Sequence, residues 1–473
     1  MNEEISGKRE RLIAQRLRQL LFLLIIVLTV EGVARKASPS VLSVPIFLLK
    51  DLIVSIMAVF VVQLRPPPAI NFLWRSYQVL ALLFVPLILV TAWHDPLLAI
   101  FGTKQYLLYP MVAFATFYGF HLVSSEEIFR FFRWIALLII PTTILALIQL
   151  RLPHDHWLNM SVSGESVEIF AAGGELRISS TFSFVSQYCA FLNAQAFIIV
   201  MALHDWRRQT KLWKILLLSL VPLLIMACFA TGSRGSVAGN TVILLLAAGL
   251  SMAKFQVRGF FQVVAGAGVL YLGVLAVNHF SPETTAAYSA RQDGQLIGVN
   301  EEIWTRVTSS YFHFFNDPRL TTFLGQGLGI MSNGSDTFSE YAGGWRATTW
   351  TESDVASTFF EGGFYLGFLW YGFRLYVMAV TTRRFVSDVS GIYSVPGSFV
   401  QGFVIIIGAM GTLGIQPPVA IWFWFGVGTS LLLWWKCKGP SDSELTVEKE
   451  SLPPSKQPRG RSLYAEALHK PDR

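Results

Sequence analysis

Long apolar runs separated by short polar connections make up most of the chain from about residue 20 to residue 435. A membrane-spanning helix needs roughly 17–25 mostly apolar residues. Runs of that kind lie near 20–34, 42–64, 72–92, 104–122, 134–152, 183–203, 212–230, 236–253, 259–279, 355–380, 398–415 and 418–435. The pattern predicts an all-α integral membrane protein, a polytopic helical bundle of about twelve transmembrane helices.

Two connections are too long to be simple turns, 151–181 and 280–350. The second contains VNEEIWTRVTSSYFHFFNDP, which predicts an amphipathic helix that Asn300 can cap and that ends at Asp317-Pro318. Its apolar positions share one face, as in a helix on the bundle or at the membrane interface. Because long loops are usually functional or disordered, the helical pattern and the glycine turn GQGLGI favour a functional loop.

The lysines and arginines cluster in alternate connections, so the net charge of +7 is explained by membrane topology. Basic groups stand before the first run and near 65, 130–133, 207–214, 254–258, 383–384 and 436–438. The positive-inside rule then places both termini in the cytoplasm and the 280–354 loop outside, between spans 9 and 10. We expect the basic stretch before the first run to precede a signal anchor rather than a cleaved signal.

This topology divides the chain into five segments. They are a basic cytoplasmic N-terminus (1–19), spans 1–9 (20–279), the outward loop with its amphipathic helix (280–354), spans 10–12 (355–435) and a disordered cytoplasmic tail (436–473). The tail is charged and poor in apolar residues, which is typical of disorder.

Three arginines stand at predicted outward mouths of spans, against the positive-inside trend. Arg234 lies in TGSRGS (231–236), Arg177 in ELRISSTFSFVSQ and Arg346 in GGWRATTWTESD. A helix N-terminus with a guanidinium beside it favours phosphate groups. Taken singly, each arginine can instead extend its side chain toward lipid head groups. Together they favour an anion site over three independent anchors.

Acid–base candidates lie near the same mouths. Glu352 and Asp354 stand at the outer end of span ten, Glu361 lies deeper, and His313 lies between two phenylalanines of the amphipathic segment. A carboxylate or an imidazole at a cavity mouth can act as a general base. The alternative is that the carboxylates cap the helix or pair with Arg346, and that His313 packs at the interface.

Charges also interrupt the apolar runs. Lys50 and Asp51 are adjacent in span two, so they do not face each other and each needs a partner elsewhere or a wet cavity. Glu31 and Arg35 are spaced i,i+4 and are expected to pair. LPHDHW (152–157) could supply metal ligands, but no further cluster supports it. We predict neither a metal nor a cofactor, since no nucleotide or zinc-protease motif is present.

The order of motifs resembles the bacterial O-antigen ligase and Wzy-type O-antigen polymerase superfamily. RISSTF precedes one span, TGSRGS opens another, TRVTSSYFHFFNDPRLTTFLGQGLGI follows in a long outward loop, and TESDVASTFFEGGFYLGFLWYGF leads back into the membrane. The resemblance covers about residues 177–371.

The resemblance implies a metal-independent transfer of a glycan from a polyprenyl-diphosphate carrier to an acceptor glycan or lipid. It implies the cell inner (cytoplasmic) membrane, with no nucleic-acid partner. It assigns diphosphate binding to Arg177 and Arg234. Where ligases commonly carry histidine, often His-Asn, this chain has Glu352-Ser353. Either Glu352 takes the role of the base, or the activity differs.

Two other classes of function remain open. A secondary transporter would place charges near the bilayer midplane, among broken helices. A non-catalytic component of a polysaccharide assembly complex would explain the missing histidine.

Overall fold

The computed structural model describes residues 2–68, 70–162, 171–172, 175–204, 209–254, several positions between 261 and 279, 322–349 and 353–438. The first eleven helices are α1 (Asn2–Ala37), α2 (Ser40–Val62), α3 (Asn71–Leu83), α4 (Val85–His94), α5 (Pro96–Thr103), α6 (Met111–Phe120), α7 (Ser125–Ala136), α8 (Ile139–Arg151), α9 (Val185–Leu203), α10 (Lys211–Ala230) and α11 (Arg234–Ala253). A π-helical turn, Lys104–Leu108, follows α5 and leads to α6. Two short antiparallel strands, β1 (Ala171–Ala172) and β2 (Glu175–Leu176), pair Ala171 with Leu176 and Ala172 with Glu175.

The second part of the described chain adds five helices. They are α12 (Ser335–Phe338), α13 (Glu340–Thr349), α14 (Asp354–Asp388), α15 (Ser394–Met410) and α16 (Pro417–Lys438), with a 3₁₀ turn at Gly391–Tyr393. The amphipathic segment around 300–316, His313, Glu352 and the tail beyond 438 lie outside the described residues.

The predicted helical membrane protein is confirmed at the level of class. Within the described ranges, nine stretches of helix are long and apolar enough to cross a membrane, or ten if α5–α6, bent by 41°, is one span. Helix α14 occupies predicted span ten but is not among them; it carries the buried charged residues Glu361 and Arg374 and is broken at Gly362–Gly363. The predicted span at 259–279 lies largely outside the described residues. The count of about twelve therefore stays a prediction.

Two almost fully buried helices, α9 and α16, form the centre of the bundle. Helix α16 packs against α6, α9, α14 and α15, while α9 packs against α7, α10, α11 and α15. A helix that is apolar on every side is buried on every side. The sequence Trp422-Phe423-Trp424-Phe425 illustrates this, because all four side chains are at most 1% exposed.

Both ends of the described chain lie at one end of the bundle. Arg18 of α1 donates to the carbonyl of Gly119 (3.2 Å), and Lys436 of α16 donates to that of Val123 (2.6 Å). The segment 1–19 is also not a separate unit, because α1 runs without interruption from Asn2 to Ala37. The described turns that the sequence predicts to face outward lie at the opposite end, which we call the polar end. It comprises the turns at 31–40, 177–184, 231–235, 322–334 and 411–416.

The glycine-rich segment 322–331 is packed into a break in α14. The break lies at Gly362 (φ −132°) and Gly363 (φ +61°). Four backbone hydrogen bonds join the segment to the break: Phe364 N to Thr322 O (3.1 Å), Tyr365 N to Phe323 O (3.0 Å), Gln326 N to Phe360 O (2.9 Å) and Gly327 N to Glu361 O (2.9 Å). The segment thus pairs backbone groups that the broken helix leaves open.

Glycine is required at 363. Its positive φ is in a region that side chains rarely adopt, and a Cβ there would lie 2.2 Å from the carbonyl oxygen of Thr322. The sequence Glu361-Gly362-Gly363 therefore marks a break in the helix.

We predict that Gly363→Ala destabilises the protein by about 1–3 kcal/mol or more, through strain and the clash with the 322–331 segment. Gly372→Ala, in the same helix, is the matched control, because a Cβ there meets nothing within 4 Å. It should be neutral or stabilise by up to about 1 kcal/mol. Unfolding in detergent followed by tryptophan fluorescence measures both, and equal effects would contradict the role given to the break.

Candidate functional site

The 177–184 segment lies against the C-terminal part of α1 at the polar end. The amide of Val33 donates to the carbonyl of Thr181 (2.9 Å), and Lys36 Nζ donates to the hydroxyl of Ser179 (3.4 Å). A Cβ at Gly32 would lie 2.1 Å from the backbone of Phe182, so only glycine admits this contact. The RISSTF motif is therefore fixed to the first helix.

Ser180 holds the turn of that segment. Its φ of +52° is unusual for a residue with a side chain. Its hydroxyl donates to the carbonyl of Thr142 in α8 at 2.6 Å. The segment is thus also tied to α8, so Arg177 projects from a well-held backbone.

The structure brings the Arg177 and TGSRGS motifs together around Cys189, in the first turns of α9. The guanidinium of Arg177 interacts electrostatically with this thiol, and the hydroxyls of Ser233 and Ser236 lie within hydrogen-bonding range of it. Arg234 is the residue between those serines. Two motifs more than fifty residues apart in the sequence therefore meet near Cys189.

The TGSRGS turn is an ordered helix start. Gly232 has φ +60°, and the Ser233 side chain caps α11 by accepting from the amide of Gly235 (3.3 Å). The hydroxyls of Thr231 and Ser236 are 2.9 Å apart. Arg234 is the first residue of α11, a helix of 20 residues, so its charge adds to the positive end of the helix dipole.

Several buried polar atoms near the two arginines have no hydrogen-bond partner among the described residues. They are Nε of Arg177, Oγ1 of Thr181 and Oδ1 of Asn240. A buried polar group without a partner costs roughly 1–3 kcal/mol. The described residues therefore leave the hydrogen-bonding capacity of these atoms unused.

Arg346 holds a different part of the polar end. Its Nη1 donates to the carbonyl of Ser332 (2.8 Å), to the hydroxyl of Ser335 (3.3 Å) and to Asp336 (3.4 Å). Burial lowers the pKa of this guanidinium below its ordinary value, while Asp336 opposes the shift. These contacts fix the turn before α12 and do not favour the predicted diphosphate role.

Asp354 accepts a set of buried hydrogen bonds, which we call the Asp354 clamp. Its carboxylate accepts from Arg374 Nη1 (2.5 Å), from the hydroxyl of Tyr371 (2.9 Å) and from the amide of Gly414 (2.8 Å). Arg374 also donates to the carbonyl of Gly408. These three donors engage the carboxylate within the fold. The geometry thus favours the structural alternative for Asp354, with Arg374 as partner instead of Arg346.

Glu361 is likewise fully engaged. It accepts from the hydroxyl of Tyr106 (2.7 Å) and from the amide of Met331 (2.7 Å). It holds the glycine-rich segment on α14 from within the bundle. Of the predicted base candidates, Glu352 and His313 lie outside the described residues, so their roles stay predictions.

The intramembrane charges of α2 have the separate partners that the sequence predicted. Lys50 lies 3.0 Å from Glu31, and Asp51 lies 2.5 Å from Lys104. The predicted i,i+4 pair of Glu31 with Arg35 is also confirmed, at 3.6 Å.

Sequence reasoning missed Arg374 and Tyr106. A signal existed for Arg374, because an arginine inside an apolar run is a functional or structural suspect. Nothing in the sequence marks Tyr106, which is one of many aromatic residues.

Comparison of the chain with protein-family models, with curated proteins and with solved structures finds no match. The functional argument therefore depends on the residues of this chain.

We predict that Arg374→Met destabilises the protein by about 3–5 kcal/mol, because it leaves the buried Asp354 carboxylate without its cation. Arg383→Met is the matched control, since Arg383 is an exposed arginine of the same helix; its effect should stay below about 0.5 kcal/mol. Adding Asp354→Asn to Arg374→Met should recover part of the loss. Chemical unfolding of the four proteins tests this, and a double variant less stable than Arg374→Met would contradict the clamp.

Proposed function

We propose that the chain is a membrane ligase or polymerase that transfers a glycan from a polyprenyl-diphosphate carrier to an acceptor hydroxyl during surface polysaccharide biosynthesis. The proposal is supported by the position of Cys189, which interacts both with Arg177 and with the serines on either side of Arg234. Two arginine-bearing motifs and a helix N-terminus that meet near one residue suit a diphosphate, whose charge grows as it leaves the sugar. In this proposal the polar end faces outward from the cytoplasmic membrane and both termini face inward, as the basic connections favour.

The site is accessible from the side, as a lipid carrier requires. The turn that carries Arg234 joins α10 to α11, and both helices expose apolar side chains on the outside of the bundle. Leu218 of α10 is 52% exposed and Leu245 of α11 is 65% exposed. A polyprenyl chain can lie along these faces while its diphosphate reaches the turn.

Glu352 is the proposed general base. It directly precedes Ser353, whose side chain accepts from the amide of Ala356 and caps α14. Asp354, the next residue, is fixed by Arg374. Asp354 and Glu361 are both engaged in the fold, so of the three acidic residues that the sequence places at 352–361 we propose Glu352 for proton transfer from the acceptor.

We predict that Arg177→Ala and Arg234→Ala each lower glycan transfer about 10²-fold or more, through loss of a charge-assisted contact to the leaving diphosphate. Arg234→Lys should rescue poorly, because an ammonium lacks the planar fork. Arg151→Ala, at an exposed arginine on the last residue of α8, controls for loss of positive charge at the polar end. Transfer by purified protein from a lipid-linked donor measures these rates. Normal transfer by Arg234→Ala would rule out the diphosphate role.

For the base, we predict that Glu352→Gln is inserted and folded but transfers glycan about 10²–10⁴-fold more slowly. The amide keeps the size of the side chain and removes its basicity. Donor binding should persist, which separates this variant from the arginine variants. Near-normal transfer by Glu352→Gln would move the base to another residue, with His313→Ala as the next variant.

A secondary transporter is the second candidate, and one observation favours it. Lys104, which pairs with Asp51, begins the π-helical turn within the bent pair α5–α6. Buried charges beside a broken helix are typical of coupled transport. Joint replacement by Asp51→Asn and Lys104→Met separates the two functions: it should abolish solute uptake in a transporter, whereas a glycan ligase should keep measurable transfer.

A further inference from the structure

Five ionisable side chains surround the ring of Phe47 between α1, α2 and the start of the π-helical turn. We call them the Phe47 cluster: Glu31, Arg35, Lys50, Asp51 and Lys104. Three are cations that lie close to the ring centre, Lys50 Nζ at 3.7 Å, Arg35 Cζ at 4.9 Å and Lys104 Nζ at 5.3 Å. The cluster is thus an assembled group of charges rather than a set of independent surface residues.

The charges of the cluster do not balance. Arg35 and Lys50 share the single carboxylate of Glu31, whereas Lys104 has Asp51. Lys50 is 0% exposed and Glu31 is 5% exposed, so solvent does not screen them. A buried charge without a counter-charge is costly, above all in a chain that spans a membrane. Among the residues that the structure describes, one positive charge of the cluster therefore remains to be neutralised.

Arg35 presents the open side of the cluster. Its Nε donates to the hydroxyl of Ser43 (3.2 Å), and its Nη1 lies 3.5 Å from the hydroxyl of Ser183 and 3.6 Å from Glu31. Its Nη2 makes no hydrogen bond to any part of the chain that the structure describes. The side chain is 18% exposed, which leaves a guanidinium edge accessible beside two further cations.

The turn before α12 and α12 itself cover another side of the cluster. A Cβ at Gly334, in the turn before α12, would lie 3.4 Å from the ring of Phe47. Phe338 of α12 packs on Phe101 (5.3 Å between ring centres), over whose ring Lys104 Nζ lies at 3.9 Å. The cluster thus lies beneath the turn that Arg346 holds, where the effective dielectric constant is low and attraction to an anion is strong.

We propose that the Phe47 cluster is a second anion-binding site, in which a phosphate or carboxylate group contacts Arg35 Nη2 in the field of Lys50 and Lys104. Two donors of the guanidinium suit the oxygens of either group. This site goes beyond the proposed glycan transfer and involves neither Arg177 nor Arg234. The anion can be soluble or can be the head group of a lipid, and the experiment distinguishes the two.

The test measures binding to the full chain in an uncharged detergent. The unfolding midpoint is followed during titration with sodium phosphate at constant ionic strength, with sodium chloride as reference. The same proteins are then placed in phosphatidylcholine nanodiscs with and without phosphatidylglycerol or a polyprenyl phosphate. Stabilisation by sodium phosphate alone identifies a soluble anion. Stabilisation by phosphatidylglycerol or the polyprenyl phosphate alone identifies the head group of an anionic lipid.

Arg35→Gln should weaken binding of the stabilising probe about 10- to 100-fold, as loss of a charge-assisted contact predicts. Arg130→Gln is the matched control, because Arg130 also forms an i,i+4 pair, with Glu126 at 2.9 Å, but outside the polar end. It should bind as the wild type does. Arg35→Lys should bind with intermediate affinity. Equal binding by wild type and Arg35→Gln, or no stabilisation of the wild type by any probe, would overturn the proposal.

Asp51→Asn gives a result of opposite sign and keeps the proposal testable if Arg35→Gln does not fold. Asparagine can still accept from the hydroxyl of Tyr109, which lies 2.6 Å from Asp51, while the positive surplus of the cluster rises. Binding should therefore become tighter, and weaker binding would overturn the proposal. If the variants bind as expected but the protein transfers no glycan, the anion site is supported and only the proposed function is contradicted.

Discussion

Inside a bilayer, every backbone amide and carbonyl needs a partner from the chain itself, and this constraint shapes the polar end. Helix α14 breaks at Gly362–Gly363, and the glycine-rich segment 322–331 pairs with the backbone on both sides of the break. Glu361 fixes the same segment through the amide of Met331. The described part of the long loop that the sequence predicts to face outward is thus a component of the bundle, and its motif GQGLGI is explained first by the fold.

Buried charges fall under a similar constraint, and most of them are paired within the fold, whereas a few keep donors that a ligand could use. Asp354 and Arg374 neutralise each other, and Arg346 is bound to the turn at 332–336. Arg177 differs, because its buried Nε has no hydrogen-bond partner among the described residues and its motif meets the Arg234 turn. A site built from held backbone and available donors is preorganised, which is what stabilisation of a leaving diphosphate requires.

Much of the fold could be predicted from the sequence, because apolar length and basic connections report local properties. The pairing of Glu31 with Arg35 was predictable for the same reason, since i,i+4 residues meet on any helix. The clamp of Asp354 and the contact of Tyr106 with Glu361 were not, because their partners are 20 and 255 residues away and depend on helix packing. The break in α14 was also hidden, since glycine in an apolar run can equally serve close helix packing.

The central claim is that the polar end consumes a polyprenyl-diphosphate-linked glycan. The most direct test compares the lipid-linked glycans of cells that lack the protein with those of cells that carry the wild type or Arg234→Ala, by mass spectrometry of extracted lipids. The account predicts accumulation of one glycan-diphosphate lipid in cells without the protein and in cells with Arg234→Ala, and normal amounts with the wild type. Unchanged lipid-linked glycans in cells without the protein would contradict the claim.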